Sequence, residues 1–173
     1  GREEPAKAPE QQAWSGTEDF GGAEDAAGLH DNWDDPDGYY RVMLGEKLQQ
    51  RYQIFAILGR GIFATVVRAR DLQQNGREVA IKIARRQETM YKAGMKEISI
   101  LQRLSEADPD NKMFIVHFFT HFEHRGHLCM VFESLGLNLR EIVKRFGKDV
   151  GLNLQAVKTY TKQMLLALAL LRE

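Results

Sequence analysis

Apolar and polar positions along this chain fall into distinct textures. Residues 1–30 show no period: Ala, Gly, Glu, Asp and Gln dominate, with Trp14 and Phe20 scattered among them. Such a stretch buries too little apolar surface to offset the entropy of ordering it, so a disordered acidic tail is expected. From residue 52 the pattern is that of strands. Residues 52–58 predict a first strand, and Thr65-Val66-Val67-Arg68-Ala69-Arg70, β-branched and alternating, a second that ends near Asp71. The pair Asn75-Gly76 favours positive φ and a tight hairpin into a third strand over 78–84. A period of two places Ala80 and Lys82 on one face of that strand and Val79, Ile81 and Ile83 on the other.

The period then changes. Over 90–104 a helix is expected, with Glu97, Ile100, Leu101 and Leu104 at i, i+3, i+4 and i+7, so that a carboxylate heads the apolar stripe. Asp108-Pro109-Asp110-Asn111 breaks the chain, and residues 115–123 and 127–133 read as a fourth and fifth strand around the turn 124–126. Asn138 is placed to cap a helix that runs to Phe146, with Gly147 as its stop. A last helix over 154–173 has Val157, Tyr160, Met164, Leu168 and Leu171 on one face. Leu165, Leu166, Ala169 and Leu170 make it apolar almost all round, as suits the centre of a second domain. Between tail and first strand, residues 31–51 pack Trp33, Tyr39 and Tyr40 around the turn signal Pro36-Asp37-Gly38, more than a linker needs, and are expected to dock onto the domain.

Charge divides the chain in the same place. The formal net charge is zero, but residues 1–40 contain eleven acids against Arg2 and Lys7, leaving the remainder at plus nine. A basic domain suits phosphate ligands and acidic or phosphorylated partners, or is a solvated cationic surface. Lys and Arg are dispersed without aromatic interleaving, so no direct nucleic-acid partner is expected. The single Cys129 excludes an internal disulfide, fits a reducing compartment and, lying in an apolar strand, reads as core. No stretch approaches the roughly 18 apolar residues of a membrane span and no signal peptide opens the chain, so a soluble intracellular protein without a membrane partner is expected. His117, His121, His124 and His127 have spacings seen in metal sites. Alternation separates them, and no cysteine or carboxylate cluster joins them. The chain begins at Gly1 and its last helix has no stop signal, so it is expected to be a piece of a longer protein.

The chemistry centres on Leu58-Gly59-Arg60-Gly61-Ile62-Phe63-Ala64-Thr65-Val66. Two close glycines let backbone N–H groups approach phosphate oxygens. In a dinucleotide-binding fingerprint the turn would open a helix and an acid would follow about 20 residues on, as Glu78 does, but here the glycines feed a strand. Lys82 faces the same way as the small Ala80. A carboxylate on an inward stripe requires a cation, and Lys82 is the natural one; otherwise Glu97 lies wet at the stripe's edge.

A glycine-turn hairpin, Val79-Ala80-Ile81-Lys82, an inward Glu97 fifteen residues on and a short crossing into helices resemble the small lobe of a eukaryotic protein kinase. The resemblance implies an α+β fold with a five-stranded antiparallel sheet and one main helix at 52–132, a hinge at 133–137 and the start of a truncated helical large lobe at 138–173. It implies that Leu58, Val66 and Ala80 flank the adenine of ATP and that the turn Gly59, Arg60, Gly61, Ile62, Phe63, Ala64 and Thr65 covers the phosphates. Lys82 would hold the α- and β-phosphates and pair with Glu97, Phe132 would be the gatekeeper, and Glu133 and Leu135 would offer hinge backbone groups. Ala64 replaces the third glycine of the pattern.

Trp33 with Gly38-Tyr39-Tyr40-Arg41-Val42, His127-Leu128-Cys129-Met130-Val131-Phe132-Glu133, and Asn138-Leu139-Arg140-Glu141 are similar to the pre-mRNA-splicing serine/threonine kinases of the Prp-four type, relatives of the dual-specificity tyrosine-regulated kinases. That resemblance implies a nuclear enzyme acting on spliceosomal proteins with ATP and Mg²⁺. The aspartates and asparagine of phosphoryl transfer would follow the last helix. His-Arg-Asp does not occur in these residues, and Asp19-Phe20-Gly21 and Ala8-Pro9-Glu10 stand in the tail, ahead of the glycine turn and out of the kinase order, so the residues are expected to be inactive alone. The alternative is a non-catalytic, partner-binding lobe.

Overall fold

Alternation builds one antiparallel sheet. In the computed structural model, which describes residues 33–148 and 150–172, its strands are β1 (Lys47–Leu48), β2 (Tyr52–Arg60), β3 (Ala64–Asp71), β4 (Arg77–Ala84), β5 (Phe118–His124) and β6 (His127–Glu133). Their spatial order is β1-β2-β3-β4-β6-β5. The main helix α1 (Glu88–Ala107) connects β4 to β5. After the sheet come a four-residue α2 (Leu139–Ile142), one π-helical turn over Val143–Gly147, and α3 (Leu154–Arg172). The expected tail lies outside the described residues.

The expected α+β architecture is present, with one strand more than the pattern announced. Lys47 and Leu48 pair with Gln53 and Tyr52 across a turn in which Gln49 and Gln50 both take positive φ. Neither residue is a usual choice for that conformation, so nothing in the local text signalled the hairpin. β5 starts three residues later than expected because Phe114, at φ +58°, turns the backbone ahead of the ladder.

Each sheet face has its own core. Leu48, Ile54, Val67, Ala69, Val79, Ile81, Ile83, Cys129 and Val131 are fully or almost fully buried on one face, where Tyr40 and Tyr52 close over them. Burial pushes the Cys129 thiol up to about 12. On the opposite face Leu128 and Met130 of β6 meet Ile98 of α1. The helix comes close because Gly94 has no side chain, and a Cβ there would lie 2.6 Å from Leu128 Cδ2. Docking through Gly94 and Ile98 rotates α1 from the expected register. Ile100, counted in the inward stripe, is 48% exposed, while Leu101 and Leu104 stay partly buried.

The helices after the sheet complete the described residues. Asn138 does cap α2, in a reciprocal box with Glu141, but the helix widens into a π-turn over Val143–Gly147. In α3, expected at the centre of a second domain, Val157, Met164, Leu168 and Leu171 are exposed, Tyr160 is partly buried, and the helix buries Leu170.

Residues 33–42 lie against the sheet. The Arg125 guanidinium stacks 3.4 Å from the centroid of Trp33. Asp34 Oδ1 sits 2.7 Å from Nε2 of His127, whose side chain is wholly buried and whose Nδ1 lies 2.8 Å from the Ala84 carbonyl. Since a carbonyl only accepts, Nδ1 must carry a proton. Tyr40 donates to Glu46 at 2.8 Å, and burial together with that carboxylate raises its pKa.

Two outcomes follow from the core. Arg51 grips Asp71 through Nε and Nη2 at 2.8 and 2.6 Å, holding this nearly buried carboxyl below the usual carboxylate range. A depressed folded-state pKa stabilises above the unfolded value and loses that contribution as pH falls, so the urea midpoint is expected to drop below about pH 4, and Asp71→Asn to lower the neutral-pH midpoint and flatten that acid limb. Cys129 is expected to resist alkylation in the native protein at mildly alkaline pH and to react once urea unfolds it, as thiol titration would register.

Candidate functional site

Strand pairing determines what shares a face with Lys82. Val66 of β3 and Met130 of β6 stand directly opposite it, and Arg68 and Phe132 stand opposite Ala80. Residues opposite one another in an antiparallel ladder project to the same side. Val66, Arg68, Ala80, Lys82, Met130 and Phe132 therefore line one surface, which is also the surface on which α1 packs. One turn after Gly94, Glu97 reaches the lysine, and Nζ lies 2.8 and 2.7 Å from its two carboxylate oxygens. The pair is not buried, for the side chains keep 28% and 40% of their exposure. A cavity of about 240 Å³ opens beside it, lined by Phe63, Lys82, Ala84, Gly94, Glu97 and Met130.

The glycine turn stands at the rim. The Gly61 N–H donates to the Ala64 carbonyl at 2.9 Å, closing the turn between β2 and β3. Ile62 and Phe63 project into solvent, Leu58 is half-exposed, and Ala64 and Thr65 are buried. Neither Gly59 nor Gly61 has positive φ. A Cβ on Gly59 would meet nothing within 4 Å, and one on Gly61 only the Ala64 carbonyl at 4.0 Å. Within the fold itself, neither a special dihedral nor a neighbouring atom requires glycine at these two positions.

At the far end of the same face, the Phe132 ring packs 5.6 Å from that of Phe118. Glu133 is tied twice to His117, its N–H donating to the His117 carbonyl at 3.0 Å and its Oε1 accepting from the His117 N–H at 2.7 Å. The Leu135 carbonyl accepts from Arg68 Nη2 at 3.3 Å. Arg68 did not figure in the sequence reasoning, although the period of two from Val66 points to it. Its Nε is buried without a hydrogen-bond partner among the described residues.

A lysine ammonium held by a carboxylate, with a third N–H donor to spare, small apolar neighbours and an open cavity form a donor set that fits a nucleotide with its phosphates at Lys82. Among the described residues no three His, Cys, Asp or Glu side chains stand together as a metal site would require. The histidines at 117, 121, 124 and 127 do not converge, and His127 is occupied by Asp34 and Ala84. Among the described residues no helix is long and apolar enough to cross a membrane.

Residues 52–173 match the family described as the protein kinase domain. The chain is 53% identical over 147 residues to the serine/threonine-protein kinase prp4 of Schizosaccharomyces pombe, covering 85% of this chain and 31% of the relative. It is 45% identical over 142 residues to the serine/threonine-protein kinase prpf4B of Dictyostelium discoideum, covering 81% and 17%. To the human dual specificity protein kinase CLK2 it is 40% identical over 111 residues, covering 64% and 22%. The chain thus spans less than a third of the length of each of these relatives.

An ion pair this exposed contributes little to folding, so Lys82→Met and Glu97→Gln are each expected to shift unfolding free energy by about 1 kcal/mol or less in urea titrations. A substantially larger loss would make the pair a structural element instead of a functional one.

Proposed function

The chain belongs to the protein kinase domain family, and from that premise we propose that it forms the ATP-binding portion of a serine/threonine kinase that phosphorylates proteins. The observation that carries the reading is the pairing of Lys82 with Glu97 on the sheet face that also bears Val66 and Ala80. Bound ATP, with Mg²⁺, would supply the γ-phosphoryl group and balance its charge. In this reading Lys82 holds the α- and β-phosphates, Glu97 fixes the direction of the ammonium, and Leu58, Val66 and Ala80 enclose the adenine. The Glu133 carbonyl and Leu135 backbone meet the adenine edge behind Phe132, and the turn from Gly59 to Thr65 covers the phosphates. Residues 52–132 act as small lobe, 133–137 as hinge, 138–173 as the opening of the large lobe, and 31–51 as a docked extension.

The names of the prp4 and prpf4B relatives support a nuclear role in pre-mRNA splicing with spliceosomal protein substrates. No motif that orients the substrate hydroxyl or holds Mg²⁺ follows the glycine turn in these residues, where the kinase order would put it, so they are proposed to bind nucleotide without transferring phosphate on their own. A second reading, a partner-binding lobe, draws on the exposed apolar side chains of α3.

Phosphotransfer and nucleotide binding together test this. The complete protein should phosphorylate a protein substrate, Lys82→Met should abolish that transfer, and these 173 residues alone should show none. Transfer by the isolated residues that disappears with Lys82→Met would refute the proposed inactivity. A complete protein that neither binds an ATP analogue nor phosphorylates would favour the partner-binding lobe.

A further inference from the structure

We propose that Tyr39, in the segment before β1, is a positioning residue for the glycine turn, holding the turn's carbonyls outward so that its amide groups stay available to phosphate. The inference builds on the nucleotide-site reading above and adds a residue that lies outside the cleft and its glycine turn.

The tyrosine is set by its own segment. Asp35 accepts from the N–H groups of Tyr39 at 2.9 Å and Asp37 at 3.0 Å, while the Asp35 N–H donates to the Tyr39 carbonyl at 2.9 Å. Gly38 takes φ +79° in this turn, and a Cβ there would lie 3.4 Å from the Arg86 carbonyl. The Tyr39 N–H, with Arg60, holds the Asp35 carboxyl below its ordinary range. The ring is nearly buried, with the Arg60 guanidinium 3.7 Å and the Arg85 guanidinium 4.5 Å from its centroid. Arg60 is anchored in turn by Asp35 at 2.6 Å.

From that position the hydroxyl reaches the turn. Tyr39 Oη donates toward the carbonyls of Gly61 at 2.9 Å and Ile62 at 3.2 Å. Arg85 continues the series, its Nη1 donating to the Ile62 carbonyl at 3.2 Å and its backbone N–H to the Phe63 carbonyl at 3.1 Å. Three successive carbonyls are therefore held from one side. The described peptide bonds are all trans, so each N–H points opposite to the C=O of its own plane. The amides of Ile62, Phe63 and Ala64 accordingly face away from Tyr39 and Arg85. A carbonyl is the negative end of the peptide dipole and repels phosphate, whereas the amide attracts it. Fixing the carbonyls in advance removes an ordering cost that nucleotide binding would otherwise bear.

The test is Tyr39→Phe in the complete protein, which deletes one hydroxyl and keeps the ring between the arginines. Amide hydrogen exchange at Gly61, whose N–H is held by the Ala64 carbonyl, and at Arg85, whose N–H is held by the Phe63 carbonyl, is expected to quicken about tenfold. KM for ATP is expected to rise about threefold to tenfold with kcat within about twofold, the range that loss of one hydrogen bond commands. Asp35→Asn, which loosens the Arg60 side chain without removing a hydrogen bond to the turn's carbonyls, should give a smaller change of the same kind. Unchanged exchange would overturn the clamp. Faster exchange with an unchanged KM would overturn its role toward nucleotide, and so would an equal loss in kcat accompanied by a lowered unfolding midpoint. Failure of the nucleotide-site reading itself appears separately, as absence of ATP-analogue binding in the unsubstituted protein.

Discussion

A strand has only two faces, and β4 uses both to capacity. Val79, Ile81 and Ile83 enter the core with at most 2% exposure, leaving Ala80 and Lys82 no direction but the opposite one. A slip of one residue would bury the ammonium and expose the aliphatic side chains, at a cost of several kcal/mol per ion. The register that β3 and β6 impose on β4 is thus what delivers a charged group to the cleft. Because α1 packs on that same face, the carboxylate that meets Lys82 can come from the helix without any further element.

The Lys82–Glu97 contact illustrates how an interaction can organise a site without stabilising a fold. Both groups stay partly hydrated, so their mutual attraction is largely offset by screening and by the side-chain entropy lost in pairing. What the pair defines is direction: two of the ammonium's three donors are engaged by one carboxylate. The close approach that makes this possible comes from Gly94, where the absence of an atom determines how near helix and sheet can lie.

Much of this was readable in the residues. The alternation of β4, the Asn75-Gly76 turn, the cap at Asn138 and the core position of Cys129 follow from local chemistry, and the ion pair from spacing on two adjoining elements. The misread parts depend on partners distant in sequence. Ile100 has the spacing of an inward residue, but the actual docking face was chosen by Gly94, which carries no hydrophobicity for a periodicity count to detect. Arg68 looked like an ordinary strand cation until the Leu135 carbonyl appeared beside it. The β1 turn uses two glutamines in an unfavourable conformation, tolerated because Leu48 gains complete burial. No reading of residues 33–42 alone could have connected Tyr39 to carbonyls more than twenty positions away.

The buried imidazole of His127 bears on the order in which the molecule assembles. Its partner Asp34 lies 93 residues upstream, while most of the ladder joins neighbours in sequence. Closing so long a loop is entropically favourable only after the intervening chain has condensed, which makes this contact a late event on the folding route. The segment carrying Tyr39 is therefore secured at its Asp34 end by the strand synthesised last in the sheet. The flap over the cleft would reach its final shape only when that strand has paired, coupling maturation of the site to completion of the lobe.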